Sequence, residues 1–173
     1  SAIAAEASIA DVAALQVLID SVDASITAFA AVQTAATSSD ASTLTTDTLT
    51  AIRGLTFDSA NFTDYQSAIA AEASIADVAA LQTLINSVDA SITAFANVQG
   101  AATSSDASGI SSTTLSDIIG LTFDSANVTD YQSAIAAEAS IADVAALQVL
   151  VDSVDDSIAA FAAVQAAATS SDA

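Results

Sequence analysis

Apolar side chains recur along this chain at the spacing of one helix face. Across residues 8–37 they are separated by three or four positions, and the same stretch returns at 74–103 and 140–169, 66 residues apart. Three long helices are therefore predicted, the first running from Ile9 to about Ala36. The residues assigned to their packing and self-association faces are Val12, Leu15, Ile19, Val22, Ile26, Phe29, Val78, Leu81, Ile85, Val88, Ile92, Phe95, Val144, Leu147, Val151, Val154, Ile158 and Phe161.

Two shorter helices are predicted between successive long ones. A medium helix at 61–73 would use Asn61 as its N-cap, and Ser8 with Asp11 resembles a capping box that starts the long helix. That pair favours a break before Ser8, although nothing in the sequence excludes a continuous helix. A polar, flexible connector at 37–48 would precede a short helix at 48–53, closed by Gly54 in the left-handed conformation. The same elements recur at 103–114, 114–119 and Gly120.

These elements predict an all-α fold of tandem 66-residue repeats, each with a short, a medium and a long helix, stacked as an elongated array or filament. The repeats would be 1–66, whose first helix is incomplete, 67–132, and a partial copy at 133–173. Because the chain starts and stops away from a repeat boundary, we expect a window of a longer protein. Both end copies keep the full apolar stripe, which predicts self-association through these faces.

Charge and composition narrow the possible functions. The chain carries 21 acidic residues against one basic residue, Arg53, and a net charge of −20. Nucleic acid and anionic membrane surfaces are therefore not expected as partners, since phosphate binding needs lysine or arginine. The longest uncharged windows, such as 24–39, contain Ser, Thr and Gln, so no membrane insertion is expected. Nor is a signal peptide, because no basic region follows Ser1.

Nucleophilic catalysis with a histidine base is excluded, because the chain has no histidine, cysteine or lysine. The neighbouring carboxylates Asp20 and Asp23, or Asp155 and Asp156, are expected on a solvated face. The phenylalanines of the stripe, Phe161 among them, and the tyrosines Tyr65 and Tyr131 are expected in the core. An enzyme is not predicted. The lack of sulfur and the acidity favour an exported protein in a salty exterior.

One sequence resemblance can be named. The stretch 64–92, DYQSAIAAEASIADVAALQTLINSVDASI, together with LSDIIGLT at 115–122, resembles the alanine-rich helical tandem repeats of very long bacterial surface and secreted proteins. The chain departs from their pattern at Val88–Asp89, where asparagine usually follows the valine, and in lacking lysine. The residues that match are Tyr65, Gln66, Ala68–Ala70, Asp77–Ala79, Leu81, Gln82, Leu84 and Ile85. The resemblance implies an extracellular, adhesin-like or fibre-forming role without catalytic residues.

Calcium is the one metal worth considering, since it takes six to eight oxygen ligands. The candidate ligands are Asp58, Asn61 and Asp64, with Asp124, Asn127 and Asp130 in the next copy. Their spacing is not that of an EF-hand loop, and helix capping explains the same residues. Otherwise no cofactor is predicted.

Two kinds of glycan attachment are conceivable. Asn61 and Asn127 fit the N-x-Ser/Thr acceptor pattern, and the hydroxyl-rich connector at 37–48 could carry O-linked sugars. Chance tripeptides and a bare polar loop explain the same residues.

The expected function is structural: a repeat segment of an extracellular filament, stalk or surface layer, located outside the cell or at its surface, that associates with copies of itself. The alternative is a spacer or a calcium-dependent adhesion module of a bacterial adhesin.

Overall fold

The structure, a computed structural model, describes residues 11–170, which form helices joined by turns with no β-strand among them. The all-α prediction is confirmed. In this part of the chain the helices are α1 (Val12–Ser38), α2 (Thr46–Ala51), α3 (Phe62–Ala71), α4 (Val78–Ser104), α5 (Ser112–Ser116), α6 (Val128–Ala137) and α7 (Val144–Ser170). Single 3-10 turns at Ser59–Asn61 and Ser125–Asn127 lead into α3 and α6.

The long helices begin later than predicted, with aspartate rather than serine as the N-cap. Asp11 Oδ1 accepts a hydrogen bond from the Ala14 backbone N–H at 2.9 Å, and Asp77 and Asp143 do the same at 2.8 Å for their own helices. A carboxylate satisfies a free N–H and also suits the positive end of the helix dipole. Ser8 lies outside the described residues. Its counterpart Ser74 lies between α3 and α4, so the predicted break is confirmed there.

The connector after each long helix is not the flexible polar loop that the sequence suggested. Ser39 adopts a left-handed conformation (φ 53°), and the Asp40 N–H donates to the Ala35 carbonyl at 3.1 Å, which closes the helix end. Ala41 and Leu44 are then buried at 4% exposure each. The polar residues face solvent while these two apolar side chains anchor the segment.

The short helices start earlier than predicted, at Thr46 and at 112. Thr45 and Thr48 cap α2 reciprocally, each side-chain oxygen accepting from the other residue's backbone N–H. Gly54 and Gly120 have φ of 82° and 86°, so the predicted left-handed glycines are confirmed.

The chain divides into two compact units, Ser1–Asp89 and Ala90–Ala173. The division falls inside α4, whereas the sequence periods were counted from 1, 67 and 133. The start chosen for a sequence repeat need not coincide with the boundary between two packed units. One helix can contribute its first half to one core and its second half to another. The buried core of the second unit comprises Ala94, Val98, Ala101, Ala102, Ala107, Ile110, Leu115, Ile118, Tyr131, Ile135, Ile141, Leu147 and Val151.

The first unit buries the residues found 66 positions earlier. Each of those counterparts is at most 8% exposed: Ala28, Val32, Ala35, Ala36, Ala41, Leu44, Leu49, Ile52, Tyr65, Ile69, Ile75, Leu81 and Ile85. In both units the largest buried side chain is a tyrosine, Tyr65 or Tyr131, of the segment between two long helices. We call this the wedge segment: residues 41–71 in the first unit and 107–137 in the second.

Candidate functional site

The most connected polar site in the first unit joins the wedge segment to α4. Asp58 Oδ1 accepts from the Ala60 N–H at 2.9 Å and holds the 3-10 turn that leads into α3. One turn later the Tyr65 hydroxyl donates to Asp89 Oδ1, and Asn61 Nδ2 donates to the same oxygen at 2.8 Å. The tyrosine oxygen also accepts from the Asp58 N–H at 3.2 Å. One carboxylate of α4 therefore binds two side chains of the wedge segment.

The second unit repeats this arrangement. Asp155 Oδ1 accepts from the Tyr131 hydroxyl at 2.5 Å and from Asn127 Nδ2 at 2.7 Å. The Tyr131 ring meets Phe123 edge to face, with centroids 6.3 Å apart. Asp89 and Asp155 are partly buried, so placing the Asp155–Asp156 pair on a solvated face was wrong for Asp155. The same position in α1 is Asp23, which is exposed as predicted.

Burial keeps the tyrosine proton on its oxygen. It raises the pKa of Tyr65 above 10.0, and the hydrogen bond to the Asp89 carboxylate raises it further. The pKa of Tyr131 is raised for the same reasons, with Asp155 as the partner. Each tyrosine is thus a hydrogen-bond donor at neutral pH and not a general base. The site can hold two elements of the unit together.

The residues suggested as calcium ligands do not form a ligand set. Asp58 is engaged as a cap, Asn61 points its amide nitrogen at Asp89, and Asp64 is exposed in the first turn of α3. The counterparts Asp124 and Asn127 are engaged likewise, and Asp130 is exposed. Within residues 11–170 no three acidic, histidine or cysteine side chains lie close enough to hold a metal ion. Asp58 and Asp124 cap the 3-10 turns, whereas the side chains of Asn61 and Asn127 make no capping bond and bind an aspartate of the following long helix.

The same contacts bear on N-glycosylation. In both copies the side-chain nitrogen that would carry the sugar, Nδ2 of Asn61 or Asn127, donates to an aspartate of the following long helix. Both asparagines are partly buried. A glycan on that nitrogen would have to occupy the space between the two helices. The folded units therefore protect these two acceptor sites.

The packing stripe follows the prediction in the covered parts of the long helices and fails elsewhere. The fully buried members are Leu81, Ile85, Val88, Leu147 and Val151, and the partly buried ones are Leu15, Val22, Phe29, Val78, Ile92, Phe95, Val144, Val154 and Ile158. The remaining members are exposed, Val12 at 82%, Ile26 and Phe161 at 63% and Ile19 at 40%, so the core position expected of Phe161 was wrong. Where stripe residues are buried in the core of the second unit, they share that core with residues of its wedge segment.

Glutamines are the functional residues that the sequence analysis missed. Gln33 Nε2 donates to the Ile75 carbonyl at 3.0 Å, and Gln99 does the same to Ile141. Gln66 donates from α3 to the carbonyls of Ala41 and Leu44. Each amide thus holds the backbone of a separate element. The same glutamines occur in every copy, and this recurrence was a signal in the sequence. A polar residue beside an apolar stripe was nevertheless interpreted as an ordinary surface residue.

Gln82 makes a two-way contact of the same kind. Its Oε1 accepts from the Thr56 N–H at 2.7 Å, while its Nε2 donates to the Thr56 carbonyl at 2.8 Å. Gln148 and Thr122 repeat this pair in the second unit. The extended stretch after each short helix is therefore fixed by a side chain of the next long helix.

The first long helix has a property that the sequence analysis did not expect. Among the described residues, α1 alone is long and apolar enough to cross a membrane by length and composition, with 17% of its most apolar window buried. It also carries Asp20 and Asp23, and a charge at a membrane centre costs about 2.5–3.5 kcal/mol. Its second half, with Val32 at 0% exposure, belongs to the core of the first unit.

Searches for similar proteins found no family model, no curated protein and no solved structure that matches this chain.

Proposed function

We propose that this chain is a structural repeat segment of an extracellular filament, stalk or surface layer, and that it associates with further copies of the repeat through apolar helix faces. The observation that carries the proposal is the recurrence of one core. Every buried residue of the second unit's core has a buried counterpart 66 positions earlier. Repeats that pack in the same way can be added one after another, because each new copy forms the same kind of core.

The polar contacts support the same proposal. The Tyr65–Asp89 and Gln33–Ile75 hydrogen bonds have counterparts 66 residues later. Each of these hydrogen bonds joins two elements of the same unit. The polar side chains of the site are used in making them. A protein whose specific hydrogen bonds join its own segments is suited to a structural role.

Acidity supports the location that we propose. A net charge of −20 is repulsive at low ionic strength, and salt outside the cell screens it. The same charge disfavours nucleic acid and anionic membranes as partners. The calcium-dependent adhesion alternative has no support in the geometry of the suggested ligands.

The test is to lengthen the chain in phase with its own repeat. Ala173 has the sequence position of Ala107, so residues 108–173 can be appended after it to add one complete core. If the proposal is right, the urea midpoint and the free energy of unfolding, followed by circular dichroism, rise with each added copy. Negative-stain microscopy should show particles that lengthen by a constant increment.

The matched control appends the same 66 residues with the counterparts of Leu115 and Ile118 changed to aspartate. These two side chains are buried in the native core, so the altered copy cannot form its own. Lengthened chains that are no more stable than this control, or particles of unchanged length, would refute the array.

A further inference from the structure

The second half of α7, residues 157–170, presents an apolar face to solvent. Phe161 is 63% exposed and Val164 is 66% exposed. At the same positions of α4, Phe95 is partly buried and Val98 is 0% exposed. The two helix halves have nearly the same sequence, so α4 shows what the face of α7 is built to contact.

On α4 this face lies against the wedge segment of the second unit. Val98 shares one core with Leu115, Ile118, Tyr131 and Ile135, all at most 2% exposed. The fully buried α4 residues of that core are small, three alanines and a valine, with the partly buried Phe95 packed against it, and the wedge segment supplies the tyrosine and several larger aliphatic side chains. A face whose buried side chains are mostly small needs large partners to reach interior packing density.

Polar groups on the two helices match as well. Ser91 Oγ of α4 accepts from the Ile119 N–H at 2.9 Å, and Gln99 Nε2 donates to the Ile141 carbonyl at 3.0 Å. Ser157 and Gln165 occupy the same positions on α7, where both are exposed. The face of α7 therefore keeps the groups that set the register of a docked wedge segment, in addition to its apolar residues.

We infer that the second half of α7 is a docking surface for a polypeptide segment with the sequence of residues 107–151, supplied by a further copy of the repeat. The inference rests on the proposed repeat function and names the part of a further copy that makes the contact. The chain has two wedge segments, at 41–71 and 107–137, and each already serves the core of its own unit. An intact second copy can supply one only by uncovering its own α4.

Direct contact between two long helices is the other way in which copies could meet. It would leave out the counterparts of Leu115, Ile118 and Tyr131, which are among the largest side chains of the core. The occupant is thus a wedge segment that is not already packed in a core of its own, and the contact is not end-to-end stacking of long helices.

The experiment measures binding of a fluorescein-labelled peptide of residues 107–151 to the full chain by fluorescence anisotropy, in about 0.5 M sodium chloride to screen the repulsion between two acidic partners. The chain variant is Val164→Asp. Its matched control is Val149→Asp, which changes a valine of the same helix that is 69% exposed and outside the docking surface. Circular dichroism checks that both variants keep the wild-type fold.

Saturable binding of one peptide per chain is expected for the wild type and for Val149→Asp. Binding to Val164→Asp should be weaker by at least about tenfold, because docking would bury an unpaired carboxylate. A peptide carrying Leu115→Asp should not bind. Absence of saturable binding to the wild type, or equal binding to the two chain variants, would overturn the inference. The lengthened-chain experiment is read out by stability and particle length, so failure of the peptide to bind would overturn this inference and leave that measurement to decide the proposed function.

Discussion

The middle and last long helices carry almost the same residues and differ in what covers them. Val98 of α4 is 0% exposed and Val164 of α7 is 66% exposed, although each occupies the same position of its helix. The first helix shows the converse, since Ile19 of α1 is 40% exposed while Ile85 of α4 is 1% exposed. Among the helices of residues 11–170, α4 contributes buried residues to both cores. Periodicity therefore identifies a face that can be buried, and it does not show which parts of that face are covered.

The largest effect should come from placing a charge at matched positions of α4 and α7. Val98→Asp should cost more than about 4 kcal/mol or abolish folding of the second unit, because the carboxylate would be buried without a partner. Val164→Asp should change the free energy of unfolding by less than about 0.5 kcal/mol. Urea unfolding followed by circular dichroism measures both, and equal losses would contradict the difference in coverage.

A smaller effect should separate two aspartates at one helix position. Asp89→Ala removes the acceptor of the Tyr65 and Asn61 hydrogen bonds, and should cost about 1.5–3 kcal/mol because bonds to a charged group are lost. Asp23→Ala, on the exposed face of α1, should stay within about 0.5 kcal/mol. The same urea titration applies. If Asp23→Ala lowered the free energy of unfolding as much as Asp89→Ala does, the Asp89 carboxylate would act through the charge of its helix and not through its hydrogen bond to Tyr65.

The smallest effect concerns alkaline pH. Burial raises the folded-state pKa of Tyr65 and Tyr131 above 10.0, so between the unfolded and folded values the native chain holds protons that the unfolded chain has lost. Their contribution to stability is complete below the unfolded pKa and is lost as pH rises through the folded pKa. The chain has no lysine, cysteine or histidine, so the tyrosines are the side chains that titrate there.

The measurement is the urea midpoint between about pH 8 and pH 11, with tyrosinate absorbance recorded in parallel. The wild type should lose stability over the upper part of that range. A chain with both Tyr65→Phe and Tyr131→Phe should lack that loss, although it starts from lower stability. An identical decline in the double variant would exclude the tyrosines as its cause.

The helices were predictable because their signals are local. The three-and-four spacing of apolar residues located the long helices, and Gly54 marked the end of the short one. The exact starts were not predictable, since Ser8 and Asp11 are both good N-cap residues and only the path of the chain selects between them. In each described case the aspartate caps the helix.

The candidate site was harder to predict because its contacts are long-range. Asp89 and Tyr65 are 24 residues apart and lie on different helices. Asp89 looked like a surface charge, as its counterpart Asp23 is. Asn61 was expected to cap α3; it does occupy the N-cap position, yet its side chain makes no capping bond and reaches α4. These hydrogen bonds depend on which side chains come together when the chain folds. The local sequence around each residue does not show this.

Arg53 has a consequence for how proteases act on this chain. It is the single lysine or arginine, its N–H donates to Ser25 Oγ at 2.9 Å and its guanidinium to Ser21 Oγ at 2.6 Å. At the corresponding place in the second unit stands Ile119. Trypsin, which cuts after basic residues, therefore has one bond to attack, and it lies in a turn held against α1. Because cleavage requires that turn to open, the rate at Arg53 reports local opening of the first unit alone. The second unit contains no lysine or arginine, so trypsin-like enzymes have no cleavage site in it.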